Sequence, residues 1–270
     1  IALLNIKGQR HENKNSKYKT LCPIIRKSKA AIVALTETKL KLDDEDEINA
    51  ANPKIHIVSN PGLDSENAQA GIAFALNKDI IRDKQWTHEI LIQGRMSKFC
   101  INWTEEHETT IILVYVPNDL TEKIAFLTKA NSILEQQNLE SSIIMGDWNS
   151  VECSIDRSPP HRDDRRVERL LQQIRFTTNT MDGWRMMYPT AQHFTYHHNS
   201  GSLARIDRIY CTKDIFLSSY NWNTTVTQTL SDHDMIEMEI LKKNLPYIGP
   251  GAERVYTSQL NDPTIQKQIR

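Results

Sequence analysis

Short apolar runs alternate with amphipathic stretches along the chain. Runs of strand length stand at 1–6 (IALLNI), 30–35 (AAIVAL), 55–58 (IHIV), 71–76 (GIAFAL), 109–116 (TTIILVYV), 141–145 (SSIIM), 204–211 (ARIDRIYC) and 235–240 (MIEMEI). Apolar runs this short, bounded by polar residues, favour strands over helices. The runs at 109–116 and 141–145 are apolar almost throughout, as in strands buried on both faces, whereas MIEMEI alternates and predicts one exposed face. Helical spacing covers 17–29, 121–138 and 163–175. In the second of these, Ile124, Phe126, Leu127, Ala130, Ile133 and Leu134 fall mostly on one face and predict a core-facing stripe. Asp163 and Asp164, after the Pro159–Pro160 break, suit the start of the third.

This mixture predicts an α/β layered domain with mixed sheets and helices packed outside. After residue 241 the character changes. KKNLPYIGPGAERVYTSQ is polar and carries Pro and Gly, and Asp262 followed by Pro263 has the form of a helix cap and first helical position. The expected organisation is a domain over 1–241, then a linker over 242–270 entering a helix that leads toward a further region.

Composition narrows the class without fixing the chemistry. The 270 residues, 39% apolar and 25% charged, are ample for a buried core and ordinary for a globular protein. No apolar run approaches the roughly 20 residues of a membrane helix, and the start lacks the layout of a secretory signal. The sequence opens on Ile1 inside an apolar run, which suggests a segment of something longer. Cys22, Cys100, Cys153 and Cys211 are far apart and form no CxxC pair, which argues against a zinc or redox motif and for a reduced intracellular setting. A net charge of −1 excludes a globally basic binder, and the local clusters RKSK and HRDDRR read first as solvated surface.

Candidate chemistry gathers where apolar runs end. Asn5 closes IALLN, Glu37 follows IVALT, and Tyr115 and Asn118 close ILVYVPN. Asp147 and Asn149 follow SIIMG, and Asp232 and His233 precede the last run. Taken singly, these residues also fit caps, an Asx turn and a surface histidine. Asp207 is different, because a carboxylate inside a strand-like run must be solvated, paired or functional. Acid and amide oxygens from several strand ends, with a single histidine, suit a hard divalent cation better than zinc. The chemistry this set favours is metal-assisted phosphoryl transfer to water.

Order and wording resemble the endonuclease/exonuclease/phosphatase superfamily. The matching segments are LLNIKG (3–8), LTETKL (35–40), GIAFALNK (71–78), VYVPND (114–119), IIMGDWNSV (143–151), RIDRIYC (205–211) and SDH (231–233). The resemblance implies a four-layer α/β sandwich, two mixed β-sheets face to face with helices outside. It gives Glu37 as principal metal ligand, with Asp232 at a position linked to metal or water. Asp147 becomes the residue that activates the attacking water, and Asn149 its neighbour on the phosphate. His233 contacts the phosphate and Asp207 orients it. Asn5, Tyr115, Asn118, Thr195 and Arg205 complete the implied phosphate- and substrate-binding set. Trp148, between Asp147 and Asn149, is expected to face the other way and pack.

The stretch from Asp147 to Pro189 and the segment FTYHHNSGSLARIDRIY resemble the endonuclease domain of fungal, Tad-like, LINE-type retrotransposons. That implies a Mg2+-dependent enzyme (Mn2+ as the alternative) that nicks double-stranded DNA in the nucleus and exposes a 3′-hydroxyl primer. Its partner would be a reverse transcriptase region of the same polyprotein, with no membrane involved. Departures from the pattern are Lys7 in place of an acid, Ala204 in place of a serine, Thr36 in place of a glutamine and Cys153 in place of an acid. A phosphatase acting on inositol phosphates or sphingolipids, and a folded but inactive transposon relic, are the competing readings.

Overall fold

A computed structural model describes residues 1–8, 14–41, 43–62, 70–81, 84–105, 107–227 and 230–241. The linker and helix expected over 242–270 lie outside the described residues.

Two six-stranded mixed sheets form the body of the fold. The first contains β1 (Ala2–Asn5), β2 (Ile32–Thr36), β3 (Ile55–Asn60), β4 (Ile72–Asn77), β14 (Ser219–Thr225) and β15 (Met235–Ile240), ordered β14-β15-β1-β2-β4-β3. The second contains β5 (Gln85–Ile92), β6 (Met96–Thr104), β7 (His107–Tyr115), β8 (Ser142–Asp147), β10 (Thr180–Asp182) and β13 (Asp207–Thr212), ordered β10-β13-β8-β7-β6-β5. Each sheet has one parallel pair at its centre, β1 with β2 and β7 with β8. The short strands β9 (Arg157–Ser158), β11 (Tyr196–His197) and β12 (Leu203–Ala204) make a small third sheet. The helices are α1 (Lys14–Ser28), α2 (Asp44–Ala51), α3 (Lys78–Ile81), α4 (Leu120–Leu134), α5 (Arg165–Thr177), α6 (Gly183–Met187) and α7 (Lys213–Ser218).

Alternation along the strands of the two large sheets divides their apolar side chains into three packed groups, and Val151, Ala204 and Ile206 form a small fourth beside the third sheet. Leu3, Ile32, Ala34, Phe74, Ile111, Leu113, Ile143, Met145 and Ile209 fill the space between the sheets. Their sequence neighbours Leu4, Val33, Leu35 and Ala73 turn outward onto Tyr18, Leu21 and Ile25 of α1 and Ile48 of α2. On the far side Ile112, Val114, Ile144 and Tyr210 meet Phe126, Leu127 and Ala130 of α4 and Val167, Leu171 and Ile174 of α5. The result is the four-layer sandwich, helix–sheet–sheet–helix, built because a strand buried on both faces needs partners on both.

The helix ends follow local chemistry. The Asp119 carboxylate accepts from the N–H groups of Thr121 and Glu122 and starts α4. That helix stops at Leu134, short of the expected 138, with the Glu135 N–H closing on the Asn131 carbonyl. Asp164 caps α5 by accepting from the Arg166 N–H. Asp163 has a different use from the expected one: it accepts from the Val151 N–H at 2.6 Å and pairs with the Arg157 guanidinium at 2.7 Å. The run at 204–211 is likewise not one strand. It breaks at Arg205 and Ile206, so Asp207 is the first residue of β13 rather than the middle of a strand.

Candidate active site

At one end of the sandwich the inter-sheet space opens, and the strand ends there are polar. Asn5 ends β1, Thr36 ends β2, Tyr115 ends β7, Asp147 ends β8 and Asp207 begins β13. Register makes them neighbours: Asn5 sits opposite Thr36, Tyr115 opposite Asp147, and Asp147 opposite Asp207. Residues 143, 145 and 147 share the inner face, as do 207, 209 and 211, so both acids project into the gap. Trp148 turns the other way. It is buried against Tyr210, with ring centroids 4.8 Å apart.

Two glycines permit this convergence. A Cβ on Gly146 would lie 1.9 Å from the Val114 carbonyl oxygen, so β8 reaches Asp147 beside β7 only without a side chain there. A Cβ on Gly8 would lie 2.3 Å from the Thr38 carbonyl oxygen, and the Gly8 N–H donates to the Glu37 carbonyl at 2.7 Å. That bond ties the exits of β1 and β2 together. Around it Lys7, Glu37 and Lys39 have φ of 45°, 53° and 53°, and Asn149 has φ of 46°. Left-handed non-glycine residues cost on the order of 1–3 kcal/mol each and persist where surrounding structure enforces them.

The electrostatic centre is a buried acid–imidazole–acid group. The His233 Nδ1–H donates to Asp207 Oδ2 at 2.8 Å, and the Thr195 hydroxyl donates to the same oxygen at 2.7 Å. Burial alone would lower the His233 pKa, but the charges of Asp207, Asp147 and Asp232 and the Asp207 hydrogen bond outweigh it and push it up to about 9. The imidazole is therefore charged at neutral pH. Asp147 accepts from Asn5 Nδ2 through Oδ2 and from the Asn149 N–H through Oδ1, both at 2.9 Å. Burial and the Asp207 charge nevertheless raise it to about 7, against the opposing influence of His233 and these donors.

Asn5, Glu37, Tyr115, Asn118, Asp147, Asn149, Asp232 and His233 line one open cleft. Asn149 is anchored by donating from Nδ2 to the Val116 carbonyl at 2.8 Å, and its own carbonyl accepts from Lys123 Nζ at 2.5 Å. The Tyr115 ring lies under the Arg95 guanidinium, 4.6 Å from Cζ to centroid. Three of the expected residues have partners within the protein. Thr195 is buried behind the cleft and donates to Asp207. Arg205 does not reach the cleft: it is buried, with Nε on Asp156 Oδ1 at 2.8 Å and Nη2 on Asp182 Oδ2 at 2.7 Å. Its two carboxylates explain why, since an unpaired buried guanidinium or acid would be costly. Asp232 faces an ammonium instead of standing open, because Lys7 Nζ is 2.7 Å from its Oδ2.

Other residues of the cleft escaped sequence reasoning. The Tyr196 ring packs against the His233 ring, tilted by 41° with centroids 4.7 Å apart, Lys39 Nζ lies 3.0 Å from Glu37 Oε1, and Arg157 and His161 also line the cleft. Tyr196 carried a faint signal, an aromatic directly before two histidines in FTYHH. Lys39 carried none, because surface lysines are everywhere.

The donor set fits a hard divalent cation. One ligand atom each from Asp147, Asp207 and His233 lie within 4.8 Å of one another, and Asp207 Oδ1 is buried without a hydrogen-bond partner among the described residues. With the imidazole charged, the oxygens of Asp147, Asp207 and the nearby Glu37 are the ones suited to a cation, and these are the ligands magnesium or manganese take.

Solved structures share this architecture. An AP endonuclease from Leishmania major aligns with a TM-score of 0.74 at 16% identity, over 89% of this chain and 87% of its own. The endonuclease domain of TRAS1, a telomere-specific non-LTR retrotransposon, aligns at 0.64 and 15%, over 90% and 98%. A 3′ phosphatase from Neisseria, bound to a product DNA hairpin, aligns at 0.68 and 14%, over 88% and 98%. At these identities the likeness is one of fold. The sequence profile of the Endonuclease/Exonuclease/phosphatase family, however, matches residues 2–233, from β1 to the buried histidine, and the chain belongs to that family.

Proposed function

We propose that the chain is a divalent-cation-dependent endonuclease that nicks double-stranded DNA. In this reading it serves a LINE-type retrotransposon by exposing the 3′-hydroxyl on which reverse transcription starts. The observation that carries the chemistry is the Asp207–His233 pair, with Asp207 directly opposite Asp147 in the strand register. A charged imidazole and a carboxylate of raised pKa in one cleft are the complementary acid and base that phosphodiester hydrolysis needs. Asp147, held on both oxygens by Asn5 and Asn149, takes a proton from the attacking water. The water oxygen bonds to phosphorus as the P–O3′ bond breaks; the leaving O3′ takes a proton from solvent, so the products are a 5′-phosphate and a 3′-hydroxyl. His233 donates from Nε2 to a non-bridging phosphate oxygen, while Asp207, with Thr195 behind it, fixes the ring and its charge. Tyr115, Asn118 and Asn149 line the same cleft and contact the phosphodiester. Glu37 and the oxygens of Asp147 would hold Mg2+ or Mn2+, which offsets negative charge on the transferring phosphoryl group.

The retrotransposon assignment is supported by the sequence resemblance over 147–189 and by the shared fold with the TRAS1 endonuclease domain. Chromosomal DNA as substrate places its action in the nucleus, beside a reverse transcriptase region of the same polyprotein. The test is supercoiled plasmid incubated with the protein and Mg2+, beside Asp147→Ala and His233→Ala. Open-circular product from the parent and from neither variant is the expected result. A folded parent that leaves the plasmid supercoiled would overturn the proposal. Release of phosphate from inositol phosphates by that same parent would assign the cleft to a phosphatase instead.

A further inference from the structure

The mouth of the cleft holds two lysine–acid pairs that differ in kind. Lys39 and Glu37 are both largely covered, at 19% and 20% side-chain exposure. Lys7 is 52% exposed, and its ammonium spends one donor on Asp232. An ammonium has three donors, Asp232 takes one among the described residues, and Lys7 lines the cleft together with Asn5 and His233. The base of the residue, in contrast, is fixed. Its N–H donates to Asn5 Oδ1 at 2.9 Å, and its carbonyl accepts from Lys17 Nζ at 2.5 Å. Its φ of 45° is held between Asn5 and the crowded Gly8. An exposed ion pair contributes at most about 1 kcal/mol, so the pair alone does not account for a backbone held in a costly conformation. A rigid root with a half-free charged tip is the form of a ligand-binding side chain.

We propose that Lys7 is a phosphate-binding residue, its ammonium steered by Asp232 to the cleft mouth, where it contacts the backbone of the DNA strand to be cut. The proposal rests on the nuclease reading. Asp232 then serves to aim Lys7. Lys7 supplies a positive charge that belongs to the chain and persists when no divalent cation is bound.

Binding of the full chain to a fluorescent DNA duplex, measured in EDTA over a range of salt, tests this without turnover. The comparison is between the parent, Lys7→Met, Lys7→Arg and Asp232→Asn. Lys7→Met should weaken binding roughly tenfold, the worth of one charge-assisted hydrogen bond. It should also flatten the slope of log affinity against log salt by about 0.9, one phosphate contact fewer. Lys7→Arg should keep the parent slope. Asp232→Asn breaks the same ion pair but leaves the ammonium, so it should bind as tightly as the parent or more tightly. An unchanged slope in Lys7→Met would overturn the proposal, as would equal weakening in Lys7→Met and Asp232→Asn, the mark of a purely structural pair. Should Lys7→Met fail to fold, a parent-like slope in Lys7→Arg together with undiminished binding by Asp232→Asn supports the proposal, and loss of slope in Lys7→Arg overturns it. These failures leave parent binding and nicking intact; a parent that neither binds nor nicks the duplex removes the nuclease reading itself.

Discussion

Asp147→Asn should make the protein more stable at neutral and alkaline pH while abolishing its chemistry. The carboxyl is 1% exposed and its pKa rises from 3.8 to about 7, because burial and Asp207 disfavour the charged form. A raised folded-state pKa means that folding is penalised wherever the unfolded chain ionises the group. The penalty is absent below about pH 4, grows through the window, and is complete above about pH 7. At ~1.4 kcal/mol for each pH unit, it amounts to roughly 4 kcal/mol. A protonated Asp147 and an asparagine are alike in offering a single good acceptor to the Asn5 and Asn149 donors. Parent and variant should therefore match near pH 4 and diverge by roughly 2–4 kcal/mol at pH 8, a large share of an ordinary domain's stability. Urea unfolding in EDTA at several pH values between 4 and 8.5 reads this directly, with plasmid nicking as the control for lost activity. A variant no more stable than the parent at pH 8, or a gap that does not close on acidification, would refute the account of Asp147 as a strained buried base.

The pH dependence of nicking should be bell-shaped. The rate should rise as Asp147 ionises near pH 7 and fall as His233 loses its proton near pH 9, so a profile flat from pH 5 to 10 excludes these roles. Trp148→Ala should cost about 3–5 kcal/mol in urea unfolding. Trp148→Phe should cost much less, because the indole N–H has no partner among the described residues, and both should nick at near-parent rates well below their melting points. Arg205→Met should destabilise by about 3–5 kcal/mol, since it removes the guanidinium paired with Asp182 and leaves the buried Asp156 to Arg185 alone. DNA affinity per folded molecule should not change, whereas a substrate-contacting arginine would lower it. Lys39→Met removes the ammonium that competes for Glu37, so Mg2+ or Mn2+ titrated against thermal stability should act at a several-fold lower concentration.

Strands packed on both faces were legible in the sequence. IVALT, IAFALN, TTIILVY and SIIMGD are apolar because both sides of them are covered, and each appears within a residue or two of its expected place. MIEMEI, with one dry face, was legible by its alternation, but the polar edge strands were not. QWTHEILI of β5 forms a sheet edge and is largely open along its length, and SYNWNTT of β14, the opposite kind of edge, buries only Trp222. Such segments are held by pairing with a neighbour, which composition does not record. Helix α2, DEDEINAA, buries Ile48 alone and offered no stripe to detect. The same logic divides the site. Acids that interrupt or end apolar runs, such as Asp147 and Asp207, announce themselves because they ought not to be there. Asp156 lies in a short irregular turn, and that it would bind Arg205 rather than water depends wholly on tertiary folding.

The pairing of β1 with β15 has a consequence for how the protein is made. The first strand lies between the second and the last, with Ala2 opposite Glu237, and Asp232 and His233 sit just ahead of that last strand. During translation the chain therefore carries β1 with one side open, and the charged imidazole is missing from the cleft, until nearly the whole domain has left the ribosome. Under the proposed activity, a nascent or truncated product cannot cut DNA.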